Sequence, residues 1–194
     1  MSKKNNFVVI ISGPSGVGKG TIRKKLINIK ELNLGFSVSY TTRKIRKNEI
    51  PGVDYYFVDR KSFENAIRNN EFLEYAEFVG NYYGTSKRVV DDLLSKEKNV
   101  LLEIEIEGFK QVMKKSDGID ILSFFIMTPN LDELKSRIRK RSSEDEKTVK
   151  NRLFRAKEEI KYKNNFNYII VNNNLDDSVN KIAHIIQEYI ASRN

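Results

Sequence analysis

Hydrophobic residues along this chain follow two rhythms, and their alternation sets the expected architecture. Residues 7–11, 121–127 and 168–171 are short, continuous apolar runs rich in β-branched or aromatic side chains. Such runs suit parallel strands covered on both faces. Between them apolar residues recur at helical spacing, most clearly at Val149, Leu153, Ala156 and Ile160. Helices are therefore expected over residues 19–29, 87–96, 109–115, from Leu131 onward and over 177–191, with a further strand over 100–106. Strands alternating with helices argue for a right-handed parallel α/β sheet whose ligands gather at the carboxyl ends of the strands.

The rhythm breaks twice. Residues 37–86 read as an extended piece at 37–42, a polar loop at 44–54 with Pro51 and Gly52, a strand at 55–58, a helix from Asp59 to about 70, a strand at 72–79 and a turn at Gly80 and Asn81. That is a small mixed lobe inserted above the sheet. The second break is the polar run Ser142-Ser143-Glu144-Asp145-Glu146.

Length and composition fit this picture of one domain. The chain has 194 residues, 39% hydrophobic and 31% charged, enough for one sizeable core. It has no cysteine, which agrees with a reducing, cytoplasmic setting and removes disulfides and thiolate metal sites. No apolar run reaches the length of a membrane span, so no membrane partner is expected. A net charge of +9 points to anionic partners. The basic stretches at 43–47 and 135–163 carry few aromatics for base stacking, which favours small phosphates over nucleic acid.

Chemistry concentrates first in Gly13-Pro14-Ser15-Gly16-Val17-Gly18-Lys19-Gly20-Thr21, between a strand and a helix. The spacing fits G-x-x-x-x-G-K-[ST]: glycines let several N–H groups point at one phosphate, Lys19 adds a positive charge, and the helix N-terminus favours the same anion. Gly20 departs from the pattern, because the hydroxyl that usually meets Mg²⁺ there is absent; Thr21 is the nearest substitute. A second cationic cluster, Arg43 and Arg46 followed by Glu49, Gly52, Asp54 and Tyr55, can hold another phosphate. Two phosphate sites suggest that one nucleotide donates a phosphoryl group to another. Glu103, Glu105 and Glu107, two apart on the expected strand, would share a face and line a cavity with cations and nucleotide. Arg137 and Arg141 share a helix face, where an anion between them would relieve their repulsion.

These motifs together resemble the guanylate kinase family, from about Phe7 to the C-terminus. The likeness rests on Gly13 to Lys19, on Ser39 with Thr41-Thr42-Arg43-x-x-Arg46, on Gly52-x-Asp54-Tyr55-x-Phe57, on Glu71-Phe72-x-Glu74 and on Gly80-Asn81-Tyr82-Tyr83-Gly84-Thr85. It implies a P-loop NTPase-type three-layer α/β fold with a central parallel sheet, an inserted mixed α/β GMP-binding lobe and a helical lid. The core would take about residues 1–36, 87–136 and 164–194, the lobe 37–86 and the lid 137–163. The implied activity is transfer of the γ-phosphoryl of ATP to GMP, with Mg²⁺ held mainly by phosphates and water. ATP would lie on Gly13 through Thr21 with Arg137, Arg141 and Asn173, although Asn173 also fits a turn and helix cap. GMP would meet Arg43, Arg46, Tyr55 and Tyr83 at its phosphate, Ser39, Glu74 and Thr85 at its guanine, and Glu103, Glu105 and Arg152 nearby. Lys19, Arg43, Arg137 and Arg152 would carry charge stabilisation. Relatives usually have Asp and Gln where this chain has Glu105 and Glu107, and Gly-Thr where it has Ser142-Ser143. A non-catalytic binding module and a nucleic-acid-binding ATPase are the rival readings; the first tends to lose the loop lysine or lid arginines kept here. A homodimer is left open.

Overall fold

A computed structural model describes residues 6–47, 49–78, 80–115, 118–141 and 146–193, apart from the side chains of Lys140, Arg141 and Lys147. Its centre is a five-stranded parallel sheet in the order β2-β7-β1-β8-β9. The strands are β1 (Val8–Ser12), β2 (Leu34–Phe36), β7 (Asn99–Glu103), β8 (Ile121–Met127) and β9 (Tyr168–Val171). Every residue of β1 is buried, and its side chains alternate between two cores. Val9 and Ile11 join Ile22, Leu26, Leu134, Ile138, Val179 and Ile182 on one face. Val8 and Ile10 join Val90, Phe109, Val112 and Phe166 on the other. Helices α1 (Lys19–Ile27), α5 (Leu131–Arg141) and α7 (Leu175–Ala191) supply the first face, α3 (Lys87–Ser95) and α4 (Ile106–Lys115) the second. The continuous apolar runs of the sequence are the signature of a sheet sandwiched in this way.

Above the carboxyl ends sits a second sheet of order β4-β3-β6-β5, mixed in direction. It comprises β3 (Tyr40–Thr41), β4 (Tyr56–Phe57), β5 (Phe72–Phe78) and β6 (Asn81–Ser86). Helix α2 (Arg60–Arg68) starts at Asp59, whose side chain accepts from the Ser62 N–H. It packs Phe63 face to face with Phe72 and Tyr82, with ring centroids 4.4 and 5.2 Å away. Helix α6 (Glu146–Ile160) follows α5; the turn between them, Ser142 to Asp145, lies outside the described residues.

The structure departs from expectation at several places. β2 and β6 are strands where none was expected, β6 beginning at Asn81 in what was read as a turn. The strand expected over 100–106 ends at Glu103, and α4 begins at Ile106. Glu103, Glu105 and Glu107 therefore share no strand face: the first closes β7, the second lies in the connection, and the third is exposed on α4 beside Lys110 at 2.7 Å. Chain direction changes because β7 has crossed the sheet by Glu103, and the alternation beyond it serves the first turn of a helix.

Candidate active site

The phosphate loop leaves β1 at Ser12, and Gly13 takes φ +137, where an added Cβ would stand 2.1 Å from the Ile126 carbonyl oxygen. Only a residue without Cβ passes so close to β8. Gly18, at φ +101, is the residue before α1 and carries no side-chain cap; the Thr21 N–H donates to its carbonyl at 3.1 Å, and no capping side chain competes with an anion for the N–H groups of Lys19 and Gly20. Lys19 is 8% exposed. Its ammonium donates to the Gly13 carbonyl and, at 3.3 Å, to that of Pro14, and lies 3.6 Å from Glu105. Asn172, just beyond β9, holds the far side of the loop: its amide donates to the Val17 carbonyl at 2.7 Å, while its side-chain oxygen accepts from Ser178 at 3.1 Å.

Two arginines from α5 and α6 approach this loop, one directly and one by way of Asn172. Arg152 of α6 donates to the Ser15 hydroxyl at 2.6 Å. Arg137 of α5 donates to Glu133 at 2.8 Å and to the Asn172 carbonyl at 3.0 Å. Asn173 is exposed and turns back to the Val171 carbonyl, whereas Asn174 caps α7. The side chain of Arg141 lies outside the described set. Thr21 is exposed on the first turn of α1.

The second cluster lies on the small sheet. Arg43 donates to Glu49 at 2.7 Å and to the Lys44 carbonyl at 2.6 Å, with its guanidinium 5.5 Å from the Tyr55 ring centroid. Tyr55 meets Tyr83 edge to face at 5.9 Å. Burial, then the charge of Glu103, raise the Tyr55 hydroxyl well above the usual tyrosine range, so it remains a donor. Arg46 is exposed, and its backbone N–H donates to Glu49 at 2.9 Å. Deeper, Glu74 is 4% exposed and accepts from the fully buried Thr85 hydroxyl at 2.6 Å. Gly108, at the start of α4, makes this possible, because a Cβ there would stand 2.2 Å from Glu74 Oε2. Burial pushes the Glu74 carboxyl up to about 7; the Thr85 bond opposes and the Glu105 charge adds. Ser39 is also buried, and its carbonyl receives the Tyr56 N–H at 2.9 Å.

Glu105 links the two clusters. It is within electrostatic reach of Lys19, Tyr55 and Glu74, and its Oε2 is buried without a hydrogen-bond partner among the described residues. Glu103 accepts from Arg23 at 3.1 Å. Sequence reasoning missed Arg23, Gly108 and Glu159, and in the stretch Asn172-Asn173-Asn174 it chose Asn173, whereas the contact to the loop is made by Asn172. Glu159 lies on α6 seven residues after Arg152, and burial, helped by the Glu105 charge, pushes its carboxyl up to about 7. The spacing of Arg23 from Lys19 and of Glu159 from Arg152 was the available signal: in each case it puts the residue on the helix face of a recognised one.

Comparison with known proteins agrees with this geometry. The family model described as guanylate kinase matches residues 5–189. The guanylate kinase of Mesoplasma florum is 47% identical over 184 residues, covering 95% of this chain and 61% of that protein. The guanylate kinase of Mycoplasmoides gallisepticum is 42% identical over 189 residues, covering 97% of this chain and 96% of that one. This chain thus spans less than two thirds of the first relative's length and nearly all of the second's. Among solved structures, the guanylate kinase of Anaplasma phagocytophilum superposes with a TM-score of 0.78 at 33% identity, over 94% of this chain and 85% of that one. A shikimate kinase from Bacteroides thetaiotaomicron, at 14% identity and a TM-score of 0.52, shares the fold alone. Because the family model matches residues 5–189, nearly the whole chain, the chain belongs to the guanylate kinase family.

Proposed function

We propose that this chain transfers the γ-phosphoryl group of ATP to GMP, giving ADP and GDP. The observation that carries the reading is Glu105, a partly exposed carboxylate within reach both of Lys19 of the phosphate loop and of Tyr55 and Glu74 of the second cluster. A donor phosphate on the loop and an acceptor phosphate on Arg43, Arg46, Tyr55 and Tyr83 would meet there. Glu74 gives the acceptor site its selectivity: an ionised carboxylate accepts from the N1–H and 2-amino groups of guanine, a pattern adenine lacks. Ser39 and Thr85 complete that edge.

The reaction needs little covalent help from the protein. The GMP phosphate is already an anionic nucleophile, so transfer runs in line without a base or an enzyme-bound intermediate. Lys19 and Arg152 neutralise charge on the transferring group from the loop and lid sides, Arg137 from beside Asn172, and Arg43 holds the acceptor. Arg43 now engages Glu49 and would exchange that partner for phosphate. Arg141 and Asn173 would flank ATP, and Thr21 would touch one of its phosphates. Closure over the site excludes water and suppresses ATP hydrolysis.

The donor set suits Mg²⁺ that arrives on the nucleotide. Among the described residues no group of three or more ligating side chains could hold a metal alone, and Gly20 offers no hydroxyl. The unpartnered Glu105 Oε2 is a suitable acceptor for a metal-bound water. The chemistry such an ion would supply is neutralisation of charge on the ATP phosphates. The reading asks for no second copy, because residues of one chain flank both sites, and no described helix is long and apolar enough to cross a membrane. A cytoplasmic setting is supported by the absence of cysteine.

A coupled assay for ADP release with ATP and each nucleoside monophosphate tests this. Turnover is expected with GMP. Turnover with AMP or CMP but not GMP would overturn the guanine assignment, and none with any acceptor would favour a binding module.

A further inference from the structure

Arg23 stands one helical turn beyond Lys19 on α1 and is 8% exposed. Its guanidinium stacks on Phe36 of β2 at 4.0 Å, donates through Nε to Glu103 at the end of β7, and lies 3.6 Å from Asp54. Asp54 belongs to the loop that leads into Tyr55. Lys24, the next residue on α1, reaches the same Asp54 oxygen at 3.0 Å. The other Asp54 oxygen accepts from the Ile50 N–H at 3.1 Å, which closes the loop on itself. The Asp54 side chain is 12% exposed and Arg23 is held flat by an aromatic ring, so this contact differs from a solvated surface pair. A shielded charge left without its partner is costly, which makes the contact decisive for where the loop rests.

We propose that Arg23, Lys24 and Asp54 form a latch that ties the phosphate-loop helix to the loop carrying Tyr55, and so positions the acceptor half of the site over the donor half. The three are positioning residues. α1 begins at Lys19, so any shift of α1 on nucleotide binding is passed one turn along to Asp54. The two halves are thereby mechanically coupled: the acceptor loop is held at the distance from Lys19 that transfer needs. This inference rests on the acceptor-phosphate role given above to Tyr55, but the latch can be tested separately from it.

Because the chain has no cysteine, spin labels can be attached at Lys30→Cys and Lys61→Cys, both exposed, in the otherwise natural protein. In the free protein, Asp54→Asn should lengthen and broaden the distance distribution between the labels. In kinetics it should raise KM for GMP about tenfold, within the usual range of coupling between sites, and leave KM for ATP within about twofold. Lys24→Glu, at a side chain 60% exposed, should act in the same direction with a smaller effect, so the test survives should Asp54→Asn fold poorly. Asp54→Glu, which keeps the charge, should restore most of the natural behaviour. An unchanged distance distribution in both Asp54→Asn and Lys24→Glu would overturn the latch, as would equal rises in KM for both nucleotides. Absence of GMP turnover in the natural protein would instead overturn the proposed function and leave the distance measurement to decide the latch.

Discussion

Lys19 and Glu74 show how one residue is made to fit one task. The Lys19 ammonium is held against the loop carbonyls of Gly13 and Pro14, at the point where a phosphate would replace them. Lys19→Ala should lower kcat by two to three orders of magnitude, the usual cost of removing one preorganised charge from a transition state. ADP release under saturating nucleotide measures this, and an unchanged rate would remove the loop from the mechanism. Glu74 holds its proton to about pH 7 in the folded protein, against an ordinary value of 4.5. Between those values the native state binds more protons than the unfolded chain, so the contribution of Glu74 to stability is full below about 4.5 and is lost as pH rises through about 7. Glu74→Gln lacks that loss. Its melting temperature relative to the natural protein should therefore rise from pH 5 to pH 8, and a constant difference would refute the burial argument. In the same variant KM for GMP should rise at least tenfold at pH 8 while KM for ATP holds, since a buried site polar group would be left mismatched.

At the scale of elements, α6 is the clearest case of a segment whose sequence and placement serve different readers. Val149 and Ala156 bury into the core, and Arg152 on the same helix reaches Ser15 of the loop. Arg152→Ala should reduce kcat about a thousandfold, the lower end of what such an arginine supplies, with KM for GMP changed by less than threefold. Steady-state kinetics at saturating ATP would show it, and an equal effect on KM alone would assign Arg152 to binding. How far each element was legible follows from where its information lies. β1 and β8 announce themselves because both faces of each run are buried; β9 shows the same apolar run, but as the edge strand it buries only Ile170, which corrects the expectation of cover on both faces. β2 is three residues with a central glycine, and β6 carries Asn81, Gly84, Thr85 and Ser86, so neither shows a hydrophobic pattern; both are strands because partners in β7, β3 and β5 complete them. Lys19 and Arg43 were readable because their motifs are local. Arg23 could be placed on the Lys19 face of α1 by its spacing, but its partner could not; nor could those of Asn172 and Gly108, because each acts across contacts distant in sequence: Glu103, Val17 and Glu74 respectively.

For the whole molecule, Glu105 stands within reach of Lys19 at the large sheet and of Tyr55 and Glu74 at the second, so ligands at the two proposed sites should stabilise the fold together. At a hundredfold excess over its Kd, GMP should add about 2.7 kcal/mol, or about 5–10 °C in melting temperature for a chain of this length. AMP at the same concentration should add little. A thermal shift measured with each nucleotide checks this, and equal shifts would deny guanine selectivity. The buried pair of Glu74 and Thr85 beneath Gly108 has a consequence for the molecule's exchange with its solvent. An empty acceptor site at neutral pH holds a fractional proton on Glu74, and guanine can donate to that carboxylate only once the proton has left. Arrival of GMP should thus release up to about half a proton at pH 7 and less at pH 8. The heat of GMP binding would then vary with the ionisation enthalpy of the buffer, and Glu74→Gln would abolish the dependence. The proposed guanine site would be a fractional proton source as well as a reader of the base.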